Sequence, residues 1–176
     1  DSAMRGGALG LSSGLYYAPG AFANTDEVVA LARVAWWHGG LYDTHIRDES
    51  SYSTGLLASI TEALEIGRRS GIPVNIAHIK ALGVDVHGMA PAIIALIREA
   101  RAAGQQVTAD QYPWTASSTG LSAALLPRWA EAGGRDSLLA RLGDPGVRDR
   151  IRGEMRDNLR RRGGAASLLL TGVSGP

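Results

Sequence analysis

The sequence predicts an α/β fold on a parallel sheet. Short β-prone segments alternate three times with amphipathic helical patterns, and such alternation implies parallel strands joined by right-handed crossovers. The units also repeat. Ser12, His45, His78 and Gln111 stand 33 residues apart, each at or just past the end of an expected strand. Ankyrin repeats share that period, but their TPLH signature and helix-pair unit are absent, so the spacing reads as βα units of equal length.

The expected strands are Ala8–Leu11, Gly40–His45, Pro73–His78 and Gln106–Gln111, each apolar or β-prone and each closed by polar residues. The first helix is expected from about Thr25 to Trp37. Asn24 or Thr25 caps it, Asp26 and Glu27 suit its positive end, and Gly39 ends it. Its apolar face is Val28, Leu31, Ala32, Ala35 and Trp36. The second, from about Leu56 to Ser70, carries the stripe Leu56, Ile60, Ala63, Leu64 and Gly67, with Gly71 as its C′ residue. The third, from about Ala90 to Ala103, has Pro91 in its first turn, Ile93, Ile94, Ile97 and Ala100 or Arg101 on its buried side, and Gly104 beyond it.

After Gln111 the pattern changes. Residues 1–126 read as the βα units. Residues 127–166 read as a charged helical insertion or peripheral segment, broken near Gly143-Asp144-Pro145-Gly146 and ending at the solvated cations Arg160–Arg162. Ala165–Thr171 reads as a further strand, so that residues 167–176 begin a truncated unit.

Composition narrows the function. A length of 176 residues suits about one domain. A net charge of +1 offers no electrostatic reason to expect nucleic acid or an anionic membrane as partner. The absence of cysteine excludes disulfides, thiolate zinc sites and a cysteine nucleophile. No apolar run approaches the roughly 20 residues that span a bilayer, and the start DSAMRGGALG does not have the form of a signal peptide. A cytoplasmic protein acting on a small molecule is expected. The chain also reads as a piece of a longer protein.

Parallel α/β folds bind ligands at the carboxyl ends of their strands. His45, in YDTHIRDE, and His78, in IAHIK, occupy matching ends of consecutive strands. Two neutral imidazoles there would converge on one ion such as zinc; two hydrogen-bonded structural histidines are the other reading. His38 and His87 lie away from strand ends and read as structural or surface residues. Asp48 and Glu49 read either as acceptors orienting an imidazole or as loop charges partnering Arg47. Lys80 would project over the same mouth, as a cation for a substrate carboxylate or as half of a salt bridge. Tyr16 and Tyr17 form an aromatic wall or simple packing. Gly7, Gly10 and Gly14 do not make a dinucleotide or phosphate loop. DQYPW leaves the fourth strand at Pro113, followed by the polar loop of Ser117, Ser118 and Thr119.

Five collinear segments, GALGLSSGLYYAPG, the Thr25-Asp26-Glu27 helix start, GGLYDTHIRDE, PVNIAHIKALG and VTADQYPWTASSTGL, together resemble the N-acyl-D-amino-acid deacylase (D-aminoacylase) family of metal-dependent amidohydrolases. The resemblance implies part of a (β/α)8 barrel, about strands four to seven. His45 and His78 would be zinc ligands, Tyr17, Lys80 and Ser118 would bind the substrate carboxylate, and Tyr16 would shape its pocket. The activity implied is zinc-dependent hydrolysis of the amide bond of N-acyl-D-amino acids. The family's His-x-His pair, bridging side chain, proton-handling Asp and downstream Arg are not in this span. Two histidines alone under-coordinate zinc, so weak metal binding and little turnover are expected of residues 1–176 by themselves. A cyclic-amide hydrolase of the hydantoinase or dihydroorotase type, or a non-catalytic fragment, are the alternatives. An open part-barrel also exposes two sheet edges, which predicts self-association.

Overall fold

The computed structural model describes residues 1–172. After a short helix α1 (Ser2–Arg5), the chain runs β1 (Gly10–Gly14), α2 (Thr25–Trp37), β2 (Leu41–His45), α3 (Leu56–Ser70), β3 (Val74–Ile76), α4 (Ala90–Ala102) and β4 (Val107–Ala109). The four strands are parallel and lie in chain order, β1-β2-β3-β4. Consecutive right-handed crossovers in that order put every helix on one face. The sheet therefore has no point where strand order reverses, as a doubly wound nucleotide fold requires. This is the arrangement of a barrel wall.

Helix limits follow the local signals. The Asn24 side chain accepts the Glu27 N–H at 2.9 Å and caps α2. Gly71, at φ 82°, takes the left-handed conformation that closes α3. One apolar core joins α2, α3 and α4 to the sheet through Val29, Ala32, Ile60, Ile66, Tyr42, Ile76 and Val107. The stripe expected on α3 is wholly buried. Three edge positions expected inside are outside: Leu31, Trp36 and Ile94 are 53%, 47% and 47% exposed. Each helix crosses its strand pair at one line, so only the middle of the stripe touches the sheet.

Strand pairing corrects the equal-unit reading. Gly10 pairs with Leu41, Tyr42 with Val74 and Val74 with Val107, so the register steps are 31, 32 and 33 residues. Ser12 thus pairs with Asp43, and the residue beside His45 is Gly14. His78 lies past the end of β3, in a tight turn at φ 36°. Pleat alternation sends Tyr42 and Thr44 into the helix-side core. Asp43 and His45 consequently face the opposite side, the side of a barrel's interior.

The remainder is helical: α5 (Leu121–Leu125), a 3-10 turn at Arg128–Glu131, α6 (Gly134–Gly143) and α7 (Pro145–Arg161). The expected break is real, with Asp144 capping α7 through Val147 N–H at 2.9 Å. Trp129 Nε1 donates to Glu154 at 2.8 Å, and Asn158 Nδ2 donates to Leu125 O at 2.9 Å, which binds α7 to the preceding segment. Of the expected solvated end Arg160–Arg162, Arg160 is exposed, whereas Arg161 and Arg162 are half-buried. Arg160 pairs with Asp85, and Arg162 Nε donates to Ala124 O at 3.1 Å. Ala165–Thr171, read above as a strand, makes a 3-10 turn at Ala165–Ser167 and then runs without a ladder partner. Residues 168–172 hold no strand; the rest of the expected 167–176 unit lies outside the described residues.

Candidate metal centre

β2 delivers His45 at its last residue, on the interior side. His78 reaches the same point by a different route, because its backbone turns left-handed immediately after β3. A non-glycine residue at positive φ is uncommon and needs external support. Asp110, just past β4, supplies it. Its Oδ1 accepts the His78 N–H at 2.7 Å, and its carbonyl accepts the Ile79 N–H at 2.9 Å. Asp110 is itself held by Asn75, whose Nδ2 donates to Asp110 at 2.7 Å and to Asp43 at 2.8 Å while Thr108 donates to Asn75 Oδ1 at 2.8 Å. Neighbouring strands therefore share one polar layer beneath the histidines.

The two rings meet. His45 Nδ1 and His78 Nε2 are 3.1 Å apart, and the ring centroids are 4.6 Å apart. Two nitrogens each about 2.05 Å from a tetrahedral zinc stand about 3.3 Å apart. The pair is thus spaced to share an ion. Burial above all, and then the nearby His78 and Lys80, pull the His45 pKa down to about 3, so its imidazole is the neutral form that binds metal. The donor set fits zinc in type and bite, and supplies two of the usual three or four ligands.

Glu49 closes the cluster from below. Its side chain is 5% exposed, with Oε1 3.3 Å from His78 Nδ1 and 3.8 Å from His45 Nε2. His45, Glu49 and His78 form a group whose ligand atoms lie within 4.8 Å of one another. Lys80 Nζ bonds to Glu49 Oε1 and lies 2.9 Å from His78 Nδ1. Burial raises the Glu49 carboxyl against the ordinary value, and the Lys80 ammonium opposes that rise.

The other expected residues divide. Tyr17 is 36% exposed and its ring lies 4.8 Å from that of His45. Tyr16 is buried behind it. Its hydroxyl donates to Ala123 O at 2.7 Å, and the Arg128 guanidinium covers its ring at 4.5 Å. Ser118 is exposed in the loop after β4, and among the described residues no hydrogen bond ties it to the histidines. That loop approaches the mouth at Tyr112, whose ring lies 5.5 Å from Lys80 Nζ. Asp48 and Arg47 do not join. Asp48 is fully buried and accepts N–H bonds from Ser50, Ser53 and Gly55, shaping the turn into α3. Arg47 pairs with Glu62 at 2.8 Å on the helix side. His38 bonds Asp1 at the surface, and His87 is exposed. Tyr112 is the member that sequence reasoning left unassigned; Glu49, left open between an acceptor orienting an imidazole and a loop charge, lies with the histidines and not with Arg47.

A D-aminoacylase of Alcaligenes xylosoxydans xylosoxydans is 40% identical to this chain over 119 residues, which are 68% of this chain and 24% of that protein. A crystal structure of D-aminoacylase, described as defining a novel subset of amidohydrolases, matches 86% of this chain with a TM-score of 0.62 at 32% identity. The chain belongs to the D-aminoacylase family of amidohydrolases. Its four βα units are part of the barrel that these amidohydrolases form. An N-acyl-D-glutamate deacylase from Bordetella bronchiseptica, solved with zinc and a phosphonate mimic of the tetrahedral intermediate, matches 90% of this chain with a TM-score of 0.65 at 30% identity. No family profile matches the chain. The chain spans 24% to 38% of the length of these D-aminoacylase relatives. Among the described residues no helix is long and apolar enough to cross a membrane.

Proposed function

We propose that the protein containing this chain hydrolyses the amide bond of N-acyl-D-amino acids with zinc, releasing a carboxylic acid and a D-amino acid. The observation that carries the reading is the 3.1 Å approach of His45 Nδ1 and His78 Nε2 at the carboxyl ends of neighbouring strands. The relatives' names and the zinc-bound neighbour support it.

His45 and His78 would hold the metal. Bound zinc supplies a Lewis acid and a water of lowered pKa. Lys80 has three N–H donors, of which Glu49 and His78 engage two, so one is left for a substrate carboxylate over the mouth. Tyr17, beside His45, would present its hydroxyl to the same carboxylate, and Ser118 would reach it from the exposed loop after β4. Tyr16 would serve as the rigid wall behind Tyr17, since its own hydroxyl is taken by Ala123. The ligands completing the zinc site and the proton-handling carboxylate would come from outside residues 1–176. Residues 127–166 would form a peripheral helical segment, and the protein would work in the cytoplasm.

The test is His45→Ala and His78→Ala in the full-length protein. Zinc content and turnover of N-acetyl-D-amino acids are expected to fall together. Unchanged zinc and turnover in either variant would reject the assignment.

A further inference from the structure

The last four carbonyls of a helix have no partner within it. In the short helix α5 all four are taken, and the groups that take them tie α7 to the tyrosines of the mouth. Ser122 O receives the Leu126 N–H, and Ala123 O receives the Tyr16 hydroxyl at 2.7 Å. Ala124 O receives Arg162 Nε at 3.1 Å, and Leu125 O receives Asn158 Nδ2 at 2.9 Å. Arg162 caps the end of α7 and does a second thing there. Its Nη2 donates to the Tyr16 hydroxyl oxygen at 3.4 Å, a long contact that the guanidinium charge strengthens. The same guanidinium lies 5.6 Å from the Tyr52 ring, which packs 6.0 Å from the ring of Tyr16. Tyr16 therefore has both hydrogen-bonding capacities of its hydroxyl in use, one as donor and one as acceptor.

We propose that Arg162 is a positioning residue for substrate binding: from the end of α7 its guanidinium holds the Tyr16 hydroxyl, and Tyr16 fixes the ring of Tyr17 beside His45. The inference rests on the reading of Tyr17 as a partner of the substrate carboxylate in the previous subsection. The relay is geometric. Tyr16 meets Tyr17 edge-on, with ring centroids 5.1 Å apart and planes at 88°, and the Tyr17 ring lies 4.8 Å from that of His45. Such edge-to-face pairs prefer one mutual angle, so a tilt of the Tyr16 ring passes to Tyr17. Tyr16 is 6% exposed and pinned at its hydroxyl, whereas Tyr17 is 36% exposed and free to meet a ligand. The helical segment after the βα units, peripheral to the sheet, thereby acquires a task at the mouth. The histidines are held by the strands and by Asp110, not by this segment, so the metal site does not depend on Arg162.

The experiment uses the full-length, zinc-loaded protein and N-acetyl-D-amino acids. KM, kcat and zinc content are measured for wild type, Arg162→Gln, Tyr16→Phe, the double variant, and Arg160→Gln, whose arginine pairs with Asp85 instead of the tyrosines. In parallel, 13C NMR of tyrosine Cζ follows the Tyr16 signal, identified by its loss in Tyr16→Phe. Arg162→Gln is expected to raise KM about 3–10-fold, with kcat and zinc content near wild type, and to shift the Tyr16 signal. The double variant should be no worse than Tyr16→Phe, Arg162→Lys should recover part of the loss, and Arg160→Gln should keep the wild-type KM. An unmoved KM in Arg162→Gln, additive losses in the double variant, or an equal rise in Arg160→Gln overturns the proposal. Where Arg162→Gln does not fold, Arg162→Lys takes its place in the cycle, since a lysine lacks the fork that spans Ala124 O and Tyr16, and the same outcomes decide. If wild type hydrolyses none of the substrates while the Tyr16 signal still shifts in Arg162→Gln, the hydrolase reading itself has failed, and this inference falls with it.

Discussion

Removing the Asp110 side chain should loosen both the sheet end and the metal site. In the structure that carboxylate accepts two bonds, from Asn75 Nδ2 at 2.7 Å and from the His78 N–H at 2.7 Å. Charge-assisted hydrogen bonds contribute about 1.5–3 kcal/mol each in favourable settings. Asp110 is largely exposed, so water competes for both partners and the pair is worth roughly 1–2 kcal/mol in all. Asp110→Ala should therefore lower unfolding stability by that amount in urea titrations followed by circular dichroism. The second effect is local. Without its acceptor, the left-handed turn at His78, which costs about 1 kcal/mol or more, relaxes toward ordinary φ. His78 Nε2 then swings off the 3.1 Å bite with His45, and zinc affinity should fall more steeply than stability alone implies. Asp110→Asn keeps one acceptor and should retain about half of the stability. A zinc affinity unchanged in Asp110→Ala would show that the carboxylate does not hold the His78 turn, and would refute the reasoning.

Two further outcomes follow from the packing and the charges. A Cβ at Gly67 would stand 2.4 Å from Val74 Cγ2. Gly67→Ala in α3 should thus be destabilising by about 1–3 kcal/mol, outweighing a helix-propensity gain of at most about 1 kcal/mol, and adding Val74→Ala should recover part of the loss; a more stable single variant in urea would contradict the close approach of α3 and β3. Arg160, and then Ser51, hold the Asp85 carboxyl down to about 2, against about 3.9 in an unfolded chain. A depressed folded pKa means that this contribution is complete above about pH 4 and is lost as pH falls through about 2. Melting temperatures of wild type and Asp85→Asn should therefore differ near neutral pH and draw together as pH falls toward and below about 2; a gap of unchanged size at pH 2 would count against the ion pair.

How much was readable in advance depended on how local the cause was. The limits of α2 and α3 were legible because Asn24 and Gly71 act on their own turns, through one capping bond and one left-handed φ. The parallel sheet was legible because alternating apolar segments leave few topologies. Leu31, Trp36 and Ile94 misled because periodicity marks an apolar face but not how wide a strip the sheet covers. Equal spacing also misled: the true register steps of 31, 32 and 33 residues would place the histidines out of line.

The amino-acid order alone determined which chemistry this protein carries: two histidines at strand ends, no thiols and no charge excess. Whether those histidines meet was decided only in three dimensions. The left-handed turn at His78 recovers the offset between strands, Asp110 from the next strand holds that turn, and Glu49 reaches across to occupy Lys80. Each of these contacts spans about thirty residues or joins neighbouring strands, and no local pattern encodes it. Residue type sets what an atom can bind, whereas the sheet's register sets how far apart two such atoms come to rest.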